Sequence, residues 1–193
     1  MIERLESVAA IAAYELNISC PNVRHGGMAF GTDPAMAASV TRAAKRVATR
    51  PVIVKLSPNV TDIVAIASEV ETAGADAISL TNTFVGMVID IHRRRPLLGN
   101  QIGGLSGPAI RPLAVRMVWQ VSQTVGIPVI GMGGVDSWES ALEFILAGAQ
   151  AVAVGTAFFV DPNVAHKINQ GLLRYMEKEG VTSIGELVGA AWQ

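Results

Sequence analysis

The stretch AGADAISL at residues 73–80 decides the fold, because a second stretch, AGAQAVAV at residues 147–154, repeats its pattern. In each stretch a glycine follows a segment with helical spacing of apolar residues, and a run of small and β-branched residues comes next. This pattern is typical of a helix that ends at the glycine and leads into a buried strand. Two such joints in one chain indicate a repeated αβ unit.

A second pair of joints lies at residues 50–56, RPVIVKL, and at residues 127–132, IPVIGM. In both, a proline ends the loop after a helix and a buried strand follows. Continuous apolar strands between amphipathic helices predict a parallel sheet covered on both faces. We predict strands at 13–19, 51–57, 77–82, 127–132 and 151–156, and helices at 34–48, 61–73, 109–125, 137–147 and 161–178.

Five strands in βα alternation fit two architectures. One is a doubly wound open sheet, and the other is a (β/α)8 barrel that lacks its beginning. A complete barrel needs about 250 residues, and three more βα units of about 30 residues each account for the difference. No linker divides the chain, so residues 1–193 are interpreted as one domain. The segment 84–108 is too long for a plain βα loop and is interpreted as an excursion with a binding or lid role.

Composition excludes several classes of function. The net charge of −1 gives no field that favours nucleic acid or an anionic membrane, and the basic run at residues 93–95 is interpreted as a solvated loop. The uncharged stretch 144–160 is shorter than the ~20 residues of a membrane span, and glycines interrupt it. One cysteine, Cys20, allows no intrachain disulfide, so a cytoplasmic setting is the default expectation. No His/Cys cluster has metal-ligand spacing, so no metal is predicted.

Chemistry in both architectures lies at the carboxyl ends of the strands. Four of the five predicted ends are polar or glycine-rich, which is the clearest pointer to a site. The ends carry NISCPN at 17–22, KLSPN at 55–59, TNT at 81–83, GMGG at 131–134 and GT at 155–156. Glycine turns on the last two strands let backbone N–H groups approach an anion, so Gly133, Gly134 and Gly155 predict a phosphate site.

Two reactive side chains stand out near these ends. Lys55 lies inside an apolar strand, and three roles are open: a Schiff-base lysine, a partner for a carboxylate, or a cation beside a reduced flavin. Cys20 lies in a loop before a proline, where it is a candidate base or nucleophile, with a buried structural thiol as the alternative. No Gly-x-Gly-x-x-Gly pattern follows a strand, so direct binding of a nicotinamide nucleotide is not expected.

The sequence resembles the dihydroorotate dehydrogenases across essentially its whole length. The motifs that carry this resemblance are NISCPN, Lys55, TNT, GLSG at 104–107, Gly133-Gly134 and Gly155-Thr156. VRHGGMAFG at 23–31 and GMVID at 86–90 favour the catalytic subunits of class 1B, which are linked to NAD. Cys20 argues against the membrane-bound class 2 enzymes, which use serine as the base. On this resemblance the fold is an incomplete α/β TIM barrel with strands 4 to 8 present.

The resemblance also implies a function, the oxidation of dihydroorotate to orotate in pyrimidine biosynthesis with FMN as the cofactor. It implies Cys20 as the catalytic base and a partner subunit that carries FAD and a [2Fe–2S] cluster and passes electrons to NAD, within a heterotetramer built on a homodimer. The implied substrate residues are Asn17, Asn22, Asn82 and Thr83. The implied FMN residues are Asn17, Lys55, Thr81, Gly107, Gly133, Gly134, Gly155 and Thr156.

The chain departs from the family at its front, where three βα units are absent. We therefore expect 1–193 alone to bind FMN weakly and to oxidise dihydroorotate negligibly. Three alternatives stay open: another FMN barrel such as the pyrimidine-oxidising part of dihydropyrimidine dehydrogenase, a non-catalytic truncated remnant, and a phosphate-binding isomerase or aldolase barrel with Lys55 as a Schiff base.

Overall fold

A computed structural model describes residues 1–19 and 27–192 of the chain. The described helices are α1 Ile2–Leu5, α2 Gly27–Thr32, α3 Pro34–Lys45, α4 Ile63–Thr72, α5 Arg111–Ser122, α6 Trp138–Leu146 and α7 Val164–Glu179. The described strands are β1 Tyr14–Asn17, β2 Val52–Lys55, β3 Ala77–Leu80, β4 Phe84–Gly86, β5 Ile89–Asp90, β6 Arg95–Pro96, β7 Gly103–Leu105, β8 Val129–Met132 and β9 Ala151–Ala153.

The five predicted strands and five predicted helices are all present, as β1, β2, β3, β8 and β9 and as α3 to α7. Each is shorter than predicted, because apolar runs continue into the flanking loops. Strand β9, for example, ends at Ala153, three residues early, before a short 3-10 helix, Thr156–Phe159. The helix starts are fixed by side-chain caps, with Asp33, Asp62 and Ser137 accepting hydrogen bonds from first-turn N–H groups of α3, α4 and α6.

The main sheet is parallel, and its strand order is β1-β2-β3-β8-β9. Apart from the small strands of the excursion, this is also the order along the chain. The helices follow the same order, since α3 contacts α4, α4 contacts α5, α5 contacts α6, and α6 contacts α7. A doubly wound sheet reverses direction at a switch point and divides its helices between two faces. The observed single direction of winding is the arrangement of a (β/α) barrel wall.

The expectation that both faces of the sheet are covered is wrong. Along β2, Val52 and Val54 are fully buried, whereas Ile53 and Lys55, which point to the other face, are partly exposed. The buried face packs against the helix layer, in a core that includes Leu56, Ile78 and Phe144. The apolar runs gave a misleading prediction because the second face of a barrel sheet points inward and carries no helices.

The excursion after β3 forms two small antiparallel sheets. Strands β4 and β7 form the inner one, and β5 and β6 form the outer one. The exposed arginines at 93–95 lie in the turn after β5 and at the start of β6. The chain returns from the excursion through Ser106 and Gly107 to α5, at the same end of the main sheet. Within residues 1–19 and 27–192, no helix combines the length and the apolar character that crossing a bilayer requires.

Candidate functional site

A cavity of about 810 Å³ opens at the carboxyl ends of β2, β3, β8 and β9. This volume lies within the ~300–1,000 Å³ that is usual for ligand pockets. Nine residues that the sequence singled out line the cavity: Lys55, Thr81, Asn82, Thr83, Gly107, Gly133, Gly134, Gly155 and Thr156. The fold thus gathers predicted residues from five separate loops and strands into one place.

Lys55 occupies the floor of this cavity and is paired with a carboxylate. Its Nζ lies 2.7 Å from Glu15 Oε1, and Ser79 Oγ donates to the other carboxylate oxygen over 3.0 Å. The Lys55 side chain is only 21% exposed, so the nearby negative charge offsets the cost of removing an ammonium from water. Of the three roles open for Lys55, the geometry shows one, in which the lysine pairs with a carboxylate.

A network of amides and hydroxyls lies at the rim of the cavity, next to Lys55. Asn82 Nδ2 donates to Ser19 Oγ over 2.6 Å and to Asn17 Oδ1 over 3.3 Å, and Ser19 Oγ donates to the same Asn17 oxygen over 2.8 Å. Asn82 Oδ1 accepts from the N–H of Thr83 over 2.8 Å. Asn17 is therefore joined to the cavity through Asn82, although it is not among the lining residues. The network offers both hydrogen-bond donors and acceptors, as recognition of a polar heterocycle requires.

Asn59 ties this rim to the loop after β2. Its Nδ2 donates to the carbonyl oxygen of Thr83 over 3.0 Å, and its Oδ1 accepts from the N–H of Val85 over 2.9 Å. One side-chain amide thus fixes both flanks of the β3–β4 turn. Asn59 positions Asn82 and Thr83 without lining the cavity itself.

The predicted catalytic base Cys20 and the predicted substrate residue Asn22 lie outside the described residues. The chain before them is described as far as Ser19, which is buried at 3% exposure and bonded to Asn82. Their roles stay predictions.

The glycine turns form the opposite wall of the cavity. Gly107, Gly133 and Gly134 have φ values of +88°, +120° and +86°, a region that side chains with a Cβ rarely adopt. A Cβ on Gly134 would lie 2.8 Å from the carbonyl oxygen of Gly107, so the two turns touch through their backbones. Position 134 requires a glycine because the two backbones approach closely and because φ is positive.

A third turn, after β9, completes this wall. A Cβ on Gly155 would meet nothing within 4 Å, and Thr156 Oγ1 donates to Ser106 Oγ over 3.0 Å, which joins the third turn to the first. The backbone N–H groups of Gly107, Gly134 and Gly155 donate to no acceptor among the described residues. Unused N–H groups around an open space fit an oxyanion such as the phosphate of FMN.

Two cations among the described lining residues do not compete for this role. Lys167 Nζ is held 2.6 Å from Asp161 Oδ2, and Lys55 is held by Glu15. The hydrogen bond from Lys167, followed by the backbone N–H of Asn163, keeps the pKa of Asp161 below its ordinary value, so this carboxylate stays ionised at neutral pH. Arg111 is close by but pairs with Asp136 and Glu143. The free backbone N–H groups are thus the available donors for an anion.

The sequence prediction gave no role to several polar residues of the site, although three of them lie in the strand-end and family motifs quoted above. They are Glu15, Ser19, Asn59, Ser79 and Ser106. A usable pattern existed for one of them: Glu15 lies two residues before Asn17 on one strand and therefore points to the same face. The partners of the others depend on strand register and loop paths, which a single sequence does not contain.

Comparisons with known proteins agree with this geometry. The family model described as dihydroorotate dehydrogenase matches residues 1–176. A relative named as the catalytic subunit of dihydroorotate dehydrogenase B (NAD(+)) from Desulforudis audaxviator is 61% identical over 188 residues, which cover 97% of this chain and 61% of the relative. The relative of the same name from Halalkalibacterium halodurans is 56% identical over 191 residues, 99% of this chain and 63% of the relative. The chain thus spans about three fifths of the length of these relatives.

A solved structure has the same fold at low sequence identity. It is described as DHODH in complex with ferulenol from Eimeria tenella. The TM-score is 0.78 and the sequence identity is 22%, and the match covers 94% of this chain and 54% of the chain in that structure. With a parallel sheet wound in one direction, an active-site-like cavity at its carboxyl ends and a family model that matches over nine tenths of its length, this chain belongs to the dihydroorotate dehydrogenase family.

Proposed function

We propose that this chain forms the FMN-binding part of an enzyme that oxidises dihydroorotate to orotate. The observation that carries the proposal is the wall of glycine turns with unused N–H groups, facing a half-buried lysine and an amide network across one cavity. One wall suits a phosphate and the other suits a polar heterocycle. The whole protein's activity, substrate and partners belong to this proposal, because the chain spans about three fifths of its relatives.

In this proposal each group of residues has a separate task. The turns at Gly107, Gly133–Gly134 and Gly155–Thr156 bind the phosphate, and Lys55 and Thr81 contact the flavin ring. Asn17, Asn22, Asn82 and Thr83 hold the substrate ring and its carboxylate. Cys20 takes the proton from C5 of dihydroorotate. Bound FMN supplies the acceptor for the hydride that leaves C6, so that the C5–C6 bond becomes double.

We further propose where the electrons go. The matched relatives are named as catalytic subunits of an NAD(+) enzyme. By this likeness, a partner subunit with FAD and a [2Fe–2S] cluster passes electrons to NAD in the cytoplasm, in a heterotetramer that contains a homodimer of catalytic subunits. The 193-residue chain by itself is expected to bind FMN weakly and to be poorly active, because the open inner face of its sheet leaves one side of the site unmade.

The test completes the chain with the N-terminal part of the Desulforudis audaxviator relative that it does not match. Dihydroorotate is added anaerobically to this protein loaded with FMN, and the absorbance of the oxidised flavin is followed. The proposal predicts bleaching with dihydroorotate and none with dihydrouracil, and a Cys20→Ala variant is expected to slow bleaching by about 10²–10⁴-fold while FMN stays bound. Bleaching by dihydrouracil alone, or a fully active Cys20→Ala variant, would contradict it.

A further inference from the structure

Three neighbouring strands contribute four polar side chains to a cluster under the cavity, two of them from β1. Lys55 on β2 is in register with Asn17 on β1 and with Ser79 on β3. Glu15 lies two residues earlier on β1, on the same face as Asn17, and its two carboxylate oxygens accept from Lys55 Nζ and Ser79 Oγ. Ser79 is fully buried, so the carboxylate is fixed at one end by a group that has no freedom to move away.

In this cluster the ammonium of Lys55 lies nearer the cavity than the carboxylate of Glu15. Lys55 lines the cavity and Glu15 does not, so the carboxylate stands behind the ammonium as seen from the cavity. The other described lysine of the lining, Lys167, is 68% exposed and is held by Asp161. Lys55 is therefore the cation that the fold holds at the cavity floor, and Glu15 is the group that holds it.

Glu15 differs from the acidic residues that stabilise the start of strands. Asp76 and Glu71 accept from backbone N–H groups, those of Val52 and Gly126 respectively. Glu15 accepts only from side chains among the described residues. A carboxylate whose bonds go to a lysine and a serine fixes side chains and leaves the strand backbone unaffected.

We propose that Glu15 is a positioning residue that holds the Lys55 ammonium at the cavity floor, where it meets the pyrimidine edge of the flavin. Without the carboxylate, the flexible four-carbon stem of Lys55 turns its charge out towards water, because a partly buried ammonium without a counter-charge is unfavourable. This inference rests on the proposed function for the flavin. The holding of Lys55 itself is a property of the chain alone and is testable without FMN.

The first experiment measures the position of Lys55 in the 193-residue chain by chemical labelling. The chain is treated briefly with an amine-reactive succinimidyl ester, and the modified fraction at each lysine is read by mass spectrometry relative to Lys178, which is 81% exposed. The Glu15→Ala variant is expected to label Lys55 several times faster than the wild type, and Glu15→Gln to lie closer to the wild type because its amide oxygen still accepts a hydrogen bond.

The matched control is the ion pair of Lys45 and Asp76, which is of nearly the same length, 2.6 Å against 2.7 Å, and lies at the other end of the sheet. The Asp76→Ala variant is expected to raise the labelling of Lys45 and to leave Lys55 unchanged. If Glu15→Ala raises the labelling of both lysines, the variant has loosened the fold as a whole and the proposal is wrong.

The second experiment titrates FMN fluorescence with each variant. Glu15→Ala is expected to weaken FMN binding by about fivefold to tenfold, close to the effect of Lys55→Ala, while the double variant is no weaker than Lys55→Ala. Unchanged labelling of Lys55 in Glu15→Ala overturns the inference, and so does unchanged FMN affinity in a chain that binds FMN. If the wild type binds no FMN even when completed with the N-terminal part of the relative, the proposed function fails, and the labelling result still decides whether Glu15 holds Lys55.

Discussion

The two ends of the main sheet use polar side chains in different ways. At the amino ends of the strands, Asp76 accepts from the N–H of Val52, Gln150 accepts from the N–H of Val129, and Glu71 accepts from the N–H groups of Gly126 and Ile127. At the carboxyl ends, Lys55 and Ser79 bond to Glu15, Asn59 and Asn82 bond to backbone groups of the β3–β4 turn, and the glycine turns keep free N–H groups. Side chains therefore satisfy the strand N–H groups at the first end, whereas at the second the N–H groups of the glycine turns are left for a ligand.

The largest expected effect follows from replacing a glycine in the carboxyl-end wall. A Gly134→Ala variant places a Cβ 2.8 Å from the carbonyl oxygen of Gly107 at a φ of +86°. We expect FMN affinity to fall by about 10–100-fold, because relief of this clash moves the turn out of the position in which its N–H faces the phosphate, and ~1.4 kcal/mol corresponds to a factor of ten. Fluorescence titration measures the change.

The control for this variant is Gly180→Ala. Gly180 ends α7 at a φ of +70°, a Cβ there meets nothing within 4 Å, and the residue lies outside the cavity. It should lose about 1 kcal/mol of unfolding free energy and keep its FMN affinity. Equal loss of FMN binding in both variants would mean that backbone strain in general, and not the position of the glycine turns in the cavity, governs binding.

At the amino end, the expected effect is on stability alone. Partial burial raises the pKa of Asp76, but the hydrogen bonds from Lys45 and from the N–H of Val52 outweigh it, so the pKa lies below its ordinary value of 3.8. An Asp76→Asn variant should lose about 0.5–1 kcal/mol of unfolding free energy at pH 7, measured in urea, because the Asp76 side chain is 41% exposed and solvent screens its ion pair. FMN affinity should stay unchanged.

The lowered pKa of Asp76 also determines how the loss of stability in Asp76→Asn depends on pH. Because folding depresses the pKa of Asp76, its contribution is complete above the ordinary value of 3.8 and disappears as pH falls through the lower value of the folded state. The wild type and Asp76→Asn should therefore converge in stability in strong acid. In Lys45→Met the bond from Val52 still goes to a charged carboxylate, whereas in Asp76→Asn it goes to a neutral amide, so Lys45→Met should lose less. A gap that persists undiminished in strong acid would contradict the assignment.

A smaller effect is expected for the tether of the amide rim. An Asn59→Ala variant removes the partners of the Thr83 carbonyl and the Val85 N–H. We expect orotate affinity of the completed, FMN-loaded protein to fall by about fivefold, as for a lost hydrogen bond of ~1 kcal/mol, and FMN affinity to stay within twofold. Asn59→Asp keeps the acceptor for Val85 and should be intermediate, and an effect on FMN as large as that on orotate would place Asn59 elsewhere in the site.

The smallest effect is expected for the hydroxyl that joins two glycine turns. A Thr156→Val variant keeps the shape of the side chain and removes the 3.0 Å hydrogen bond to Ser106. FMN affinity should fall by only about twofold to threefold, because the bond is exposed and net hydrogen-bond energies are near 1 kcal/mol or less. A loss above tenfold would show that Thr156 contacts the ligand directly.

The sequence predicted the βα repeats and the glycine turns because both are local patterns. AGADAISL and AGAQAVAV each contain the end of a helix and the start of a strand, and the turns at 133–134 and 155–156 follow directly from the strands before them. The prediction of two covered faces failed because an apolar strand looks alike whether its second face meets helices or points into a barrel.

Longer-range features of the site lay beyond the sequence. The pairing of Glu15 with Lys55 depends on the register of β1 and β2. The hydrogen bond from Asn59 to Thr83 depends on the path of two loops. Nor did any sequence pattern predict that Arg111, at the start of α5 beside the glycine turns, is paired with Asp136 and Glu143. The sequence shows which polar residues are present, and only the structure shows which distant side chains pair with each other.

The central claim is that the unused N–H groups of the glycine turns bind the phosphate of a flavin. The most direct measurement compares the binding of FMN and riboflavin, which share the ring and differ in the phosphate, by fluorescence titration of the 193-residue chain at high protein concentration. FMN binding at least about tenfold tighter than riboflavin, with the difference abolished in Gly134→Ala, is the predicted result. Equal affinity for the two flavins, or a preference for FMN that survives in Gly134→Ala, would contradict it.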